Sequence, residues 1–204
     1  MKIIYIFILI FLLKLGFYAF SQTDKKSQNE FLILGTLQDY MGRKLDPRFE
    51  NLLDRYDPSE DTMKSIIDSL VKITYPKEVY QDMEMGVNTI LSTFLANRFN
   101  AFYHFNKGHS YTPNGGNILI GKLKDDIMRN EKEKLAFLTG AFLRFGSIRD
   151  SAYCISIANS ISKAKVCYTL LKELGCKPYY NIRRNYIPVG HDVFFIQLQK
   201  FYLI

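Results

Sequence analysis

The chain opens with an unbroken apolar run, Ile3–Leu13, between Lys2 and Lys14, and apolar character resumes from Leu15 to Phe20. Eleven apolar residues fit the core of roughly 7–15 residues in a secretory signal and fall short of the ~20 that cross a bilayer. Ala19-Phe20-Ser21 supplies small side chains at the two positions a signal peptidase must accommodate. Cleavage after Ser21 is therefore expected, which removes residues 1–21. The competing reading is an uncleaved inner-membrane anchor with Lys14 snorkelling to the headgroups. The charge inside the run and the good cleavage site favour the cleaved form. The polar stretch 22–30 reads as a flexible lead-in, and 31–204 as a single α+β domain.

From Phe31 to about residue 130 the apolar spacing is mostly helical. Leu34, Leu37 and Met41 predict a helix that ends at Gly42, with a strand over Phe31–Leu34 as the alternative. Asp46-Pro47 opens a predicted short helix carrying Phe49, Leu52, Leu53 and Tyr56. Asp57-Pro58-Ser59-Glu60 is a stronger start, combining a cap residue, a proline that presets φ and a glutamate able to reach back as in a capping box. Met63, Ile66, Ile67, Leu70 and Val71 follow as an amphipathic stripe. Tyr75-Pro76 ends that helix and begins another, predicted to run through Val87, Ile90 and Phe94 to about Phe105. Residues 107–117, with Gly108, Pro113 and Gly115-Gly116, read as a loop, and Ile118–Leu123 as a short strand with Gly121 a candidate bulge.

The part from about residue 131 to 204 has the clearest order. Leu135, Leu138, Phe142 and Phe145 predict a helix closed by Gly146, and Ala136 and Gly140 offer a small-residue strip where another backbone can approach. Ser151–Ala158 reads as a central strand, with Tyr153, Ile155 and Ile157 on one face and Ala152, Cys154, Ser156 and Ala158 on the other. A helix with Gly175 as its stop follows, then strands over Lys177–Arg184 and His191–Leu198. The expected fold is α+β, a helical N-terminal half followed by a small mixed sheet with β-α-β-β order. If the strands flanking the helix are parallel neighbours, the crossover is right-handed.

Composition changes the picture in two respects. The chain has 16 Phe and 14 Tyr, so it does not stay disordered. Its formal net charge is +7, falling to +5 once Lys2 and Lys14 leave with the signal. Export and the lack of a dense basic run argue against nucleic acid, and a solvated basic surface accounts for the excess better. Three cysteines, Cys154, Cys167 and Cys176, allow one bridge at most in an oxidising compartment, so this is no disulfide scaffold. Cys154 and Cys167 read as small buried hydrophobes that could conceivably pair, and Cys176 as the reachable thiol.

Chemical candidates are few. His104 and His109 stand five apart and His191 far downstream, which matches no recognised metal-ligand spacing, so neither a metal nor another cofactor is expected. A Cys–His hydrolase would need an exposed, electropositive thiol, and none of the three cysteines fits that setting. No nucleotide-binding or serine-hydrolase motif is present. The aromatic segment Phe99–Tyr111 reads mainly as core. With the Asn185–Asp192 turn it still supplies the candidate binding residues: Tyr103, His104, His109, Tyr111, His191 and Asp192.

The functional expectation is an exported, non-catalytic binding or interaction domain in the bacterial envelope or outside the cell. Its partner would be a protein or another envelope component, with no membrane contact after cleavage. The alternatives are an envelope hydrolase whose site is assembled from dispersed His, Asp and Cys residues, or an immunity- or inhibitor-type partner of a secreted protein. A deep pocket uniting a histidine with carboxylates or Cys176 would favour the enzyme; a shallow surface with buried cysteines would favour the binder.

Overall fold

The computed structural model describes residues 24–39, 42–111, 117–149, 152–158, 160–185 and 191–199. The predicted signal, residues 1–21, lies outside the described residues. The first described helix, α1, spans 24–36, so the expected lead-in over 22–30 is helical from residue 24. Its polar residues are tied down: Asp24 pairs with Lys132 at 2.8 Å, and Ser27 donates to Glu133 at 2.5 Å. Phe31, Ile33, Leu34 and Leu37 are all buried. From Glu30 onward α1 is buried on nearly every side, as a helix that packs inside must be.

The capping box forms as expected. Asp57 accepts from Ser59 N, Glu60 reaches back to Asp57 N at 2.8 Å, and α2 (Asp61–Thr74) follows. The helix expected after Asp46-Pro47 is a 3-10 turn, Pro47–Phe49, leading into strand β2 (Leu52–Arg55). A register shift between Leu52 and Asp54 buries Leu53 and Asp54 side by side, which hides the period of two that marks a strand. The long helix expected from Pro76 is broken as well. It comprises α3 (Pro76–Asp82), β3 (Glu84–Met85), β4 (Thr89–Leu91) and α4 (Thr93–Asn100). Ser92 caps α4 through Leu95 N and itself donates to Asp82 at 2.5 Å, while Val87, counted on the apolar stripe, is 88% exposed.

Three sheets are present among the described residues, and every strand pairing is antiparallel. β1 (Arg43–Leu45), β6 (Asn117–Leu123) and β5 (Tyr103–Tyr111) form one in the order β1-β6-β5. Residues 107–111, expected in a loop, are thus in β5, and 112–116 lie outside the described residues. At Gly121 there is no bulge: a Cβ there would stand 2.7 Å from Phe105 Cε1, so the glycine serves close strand packing. The second sheet has the order β2-β4-β3.

The third sheet contains β7 (Gly146–Arg149), β8 (Ala152–Ala158), β9 (Tyr179–Asn185) and β10 (His191–Gln199), in the order β7-β8-β10-β9. The expected mixed sheet is therefore antiparallel. β8 and β9, joined through α6 (Ile161–Glu173), run the same way but have β10 between them. β8 is an interior strand, with Cys154 and Ile155 buried on opposite faces. Helix α5 (Glu131–Phe145) ends at Gly146 and crosses α1 at two glycines. A Cβ on Gly140 would lie 2.0 Å from Leu32 O, and one on Gly35 2.1 Å from Phe137 O. The small-residue strip thus receives α1. One core joins both parts of the chain, from Leu34, Ile67 and Phe99 to Phe137, Ile157 and Cys167. Among the described residues, no helix is long and apolar enough to cross a membrane.

Candidate functional site

The C-terminal end of α1 is the electrostatic centre of the protein. Helix ends leave carbonyls without intrahelical donors and carry partial negative charge. Here two buried cations supply the donors. Lys163 on α6, fully buried, donates to Leu34 O at 3.3 Å, to Gly35 O at 3.1 Å and to Leu37 O. Arg144 on α5 donates to Thr36 O at 2.9 Å, Asp54 Oδ2 at 2.6 Å and Glu60 Oε1 at 2.8 Å. Its guanidinium also reaches Gln38 Oε1 and lies over the Tyr56 ring at 4.7 Å. Burial pushes the Lys163 ammonium below its ordinary pKa, and Asp39 works against that shift.

Beside this centre lies a cleft of about 360 Å³ between β1, the 3-10 turn and β2. Gln38, Asp39 and Asp54 contribute its acidic and amide groups. Gln38 N donates to Asp54 Oδ1 at 3.1 Å, so the cleft is coupled to the Arg144 cluster. Asp39 is 3% exposed, and its Oδ2 has no hydrogen-bond partner among the described residues. An orphaned buried carboxylate oxygen is costly and calls for a reason. The hydroxyl of Tyr103 is also buried without a hydrogen-bond partner among the described residues, and burial followed by the Asp39 charge raises its pKa.

The wall of the cleft is closely packed. Gly42 enters β1 at φ +90°, and a Cβ there would meet Ile120 Cγ2 at 2.6 Å and Gly121 O at 2.9 Å. Arg43 is buried and bonded through all three nitrogens: Nη1 donates to Leu53 O at 2.6 Å, Nη2 to Leu52 O at 3.3 Å, and Nε to Asn100 Oδ1 at 2.9 Å. At the mouth, Asp46 holds Arg48 through Nε at 3.0 Å and Nη2 at 2.6 Å. Phe49 is 44% exposed, with the guanidinium carbons of Arg48 and Arg55 at 5.5 and 4.9 Å from its ring centroid. Lys44 and Arg55, both exposed, make no side-chain hydrogen bond or ion pair among the described residues.

A second buried cluster is structural. Glu30 of α1 takes Arg98 in a forked pair at 2.5 and 2.8 Å and accepts from the Tyr75 hydroxyl. It ties α1 to α3 and α4.

The candidate residues read from sequence do not converge. Tyr103 is buried in the core, His104 is exposed on β5 opposite Lys122, and His109 and Tyr111 continue the same strand. His191 and Asp192 belong to β10 in a different sheet, opposite Asn185 and Arg184. Phe99 and Tyr103 are buried, and Phe102 and Phe105 pack half-buried against the core, as the core reading of that segment expects. All three cysteines are free thiols: Cys154 and Cys167 are buried and Cys176 is half-buried. Among the described residues, no group of three or more His, Cys, Asp or Glu is placed to hold a metal ion.

Sequence reasoning missed Asp39, Arg43 and Arg55. The only signal available was a lone acid just before Gly42 and an unusual density of basic residues over 43–55. No known protein family, curated protein or solved structure matches the chain.

Proposed function

We propose that the chain is an exported protein that acts by binding rather than by turnover, and that the cleft between β1 and β2 is its binding site. The observation that carries this reading is the cleft's unmatched polarity. A buried acceptor, Asp39 Oδ2, lacks a partner among the described residues, and two cations at the mouth, Lys44 and Arg55, are uncommitted there. A ligand with complementary groups satisfies both, and a small number of placed polar groups in a concave site is how small molecules are recognised. Among the described residues the lining contains no histidine or cysteine, and Cys167 and Cys154 are buried, which favours a binder over a Cys–His hydrolase. Export rests on the N-terminal pattern of Ile3–Leu13 and Ala19-Phe20-Ser21.

The test begins with protein recovered from the envelope or culture fluid of cells that make it. N-terminal sequencing is expected to read Gln-Thr-Asp, and a chain still starting at Met1 would replace export with membrane anchoring. Denaturing the purified protein and analysing what it releases by mass spectrometry is expected to yield a near-stoichiometric small molecule, absent from an Arg55→Glu variant. Turnover in a panel of ester, peptide and phosphate substrates, with nothing released, would turn the reading to an envelope hydrolase. Recovery of one stoichiometric protein instead would turn it to an immunity- or inhibitor-type partner.

A further inference from the structure

Resting on the reading of the cleft as a binding site, we infer that its ligand is a small zwitterion of the free α-amino acid type. Its ammonium group would meet Asp39 and its carboxylate would meet Arg55 and Lys44. The inference follows from which charged groups of the cleft are already spent. Arg43 gives its guanidinium to Leu52 O, Leu53 O and Asn100. Asp54 is held by Arg144, and Arg48 by Asp46. What remains without a hydrogen bond among the described residues is Asp39 Oδ2, almost wholly out of water though within the field of Lys163, and the exposed cations Lys44 and Arg55.

Each simpler ligand leaves part of this set unanswered. An inorganic anion would pair with Arg55 and Lys44 but would meet the Asp39 carboxylate with like charge. A simple amine would pair with Asp39 but would enter past two unpaired cations. A neutral sugar could donate a hydroxyl to Asp39 and gains nothing from the charge of Arg55. A zwitterion answers both, and charge-assisted bonds to a carboxylate are where a forked guanidinium is most effective. The Phe49 ring lies under the guanidinium of Arg55, which limits the orientations that group can adopt. The cleft volume, about 360 Å³, sits at the low end of the roughly 300–1,000 Å³ of small-molecule sites. That suits an amino acid better than a polymer segment.

Isothermal titration of the exported protein with each of the twenty free L-amino acids tests this. The panel is extended to the N-acetyl and carboxamide forms of any binder, to inorganic phosphate and to glucose. At least one free amino acid is expected to bind, with affinity falling at least tenfold when either its amino or its carboxyl group is blocked. Asp39→Asn and Arg55→Gln are each expected to weaken it at least tenfold, while the surface control Lys72→Gln does not. Arg55 is exposed, so its variant tests the proposal even where Asp39→Asn perturbs folding. Equal affinity for the N-acetyl or carboxamide form would overturn the proposal. Binding of phosphate or glucose alone, lost in Arg55→Gln, would overturn the ligand class and leave the cleft as the binding site. Silence across the panel would also overturn the ligand class, and the release experiment above then decides the binding reading separately.

Discussion

The guanidinium of Arg144 meets the carboxylate of Asp54 at 2.6 Å, with the two side chains 1% and 2% exposed. A buried pair of this kind stabilises little against an apolar replacement of both partners, but removing one partner strands a charge. Arg144→Met is therefore expected to cost roughly 3–5 kcal/mol in urea unfolding, and Arg144→Met with Asp54→Asn to recover part of that loss. A double variant no more stable than the single one would show that Asp54 does not depend on Arg144. Glu60, the third member, behaves differently. Burial alone would raise its pKa, but the hydrogen bonds from Arg144 and Asp57 N outweigh it, so the pKa is lowered from its usual 4.5. Its contribution is fully present above about pH 4.5 and is lost as pH falls through the lowered value. Glu60→Gln should flatten the acid limb of the stability–pH curve by that contribution.

The crossing of α1 and α5 predicts a contrast between two glycines. A Cβ on Gly140 would lie 2.0 Å from a backbone oxygen, which cannot move aside without separating the helices. Gly140→Ala is expected to cost at least about 3 kcal/mol, the upper end of ordinary overpacking. Gly175 is needed for its φ of +79° and has open space around it. Asparagine tolerates that conformation, so Gly175→Asn should cost only a few tenths of a kcal/mol. Similar unfolding midpoints for the two variants would contradict the close approach.

The fold was legible wherever local chemistry decides it. Asp57-Pro58-Ser59-Glu60, the helix that stops at Gly146 and the two-faced strand at 152–158 read directly from cap, stop and alternation signals, although Leu135, counted on the helix stripe, is 47% exposed. The sequence misled where tertiary contacts override the period. Leu52-Leu53 mimic a helix face because a bulge sits between Leu52 and Asp54. Val87 fits a stripe but projects from the turn between β3 and β4, held there by Lys64 donating to Gly86 O and Val87 O. The cleft was not legible at all. Asp39, Arg43 and Arg55 come together only because α1 ends where β1 and β2 begin to pair with other strands. Nothing in their spacing distinguishes them from solvated charges.

Thiol reactivity gives a further prediction. Cys176 is half-buried, whereas Cys154 and Cys167 are buried. Burial pushes the Cys167 thiol up to about 12 from its usual 9, which the neighbouring Lys163 only partly offsets. That leaves about a thousandfold less thiolate at a given pH below both values. A maleimide or disulfide reagent at pH 8 should therefore label one cysteine per native chain, Cys176, at least a hundredfold faster than Cys167. Peptide mapping showing early label on Cys167 would contradict its burial.

Lys163 yields the least intuitive expectation. Its ammonium serves three carbonyls at the end of α1, so Lys163→Met should leave them short of donors at a cost of about 1–3 kcal/mol each at most. Yet burial lowers its folded-state pKa beneath the 10.5 of the unfolded chain, with Asp39 the main opposing influence. Between those two values the unfolded state binds more protons, so the Lys163 contribution to stability rises with pH. The stability gap between wild type and Lys163→Met should accordingly widen as pH climbs from neutrality toward 10.5. Burial raises the pKa of Cys167 and of Tyr56, Tyr75 and Tyr103, so both proteins lose stability above about pH 9, and most of that shared loss cancels in the difference between them. A gap that narrows over that range would mean that the ammonium is stabilised, not strained, where it caps the helix.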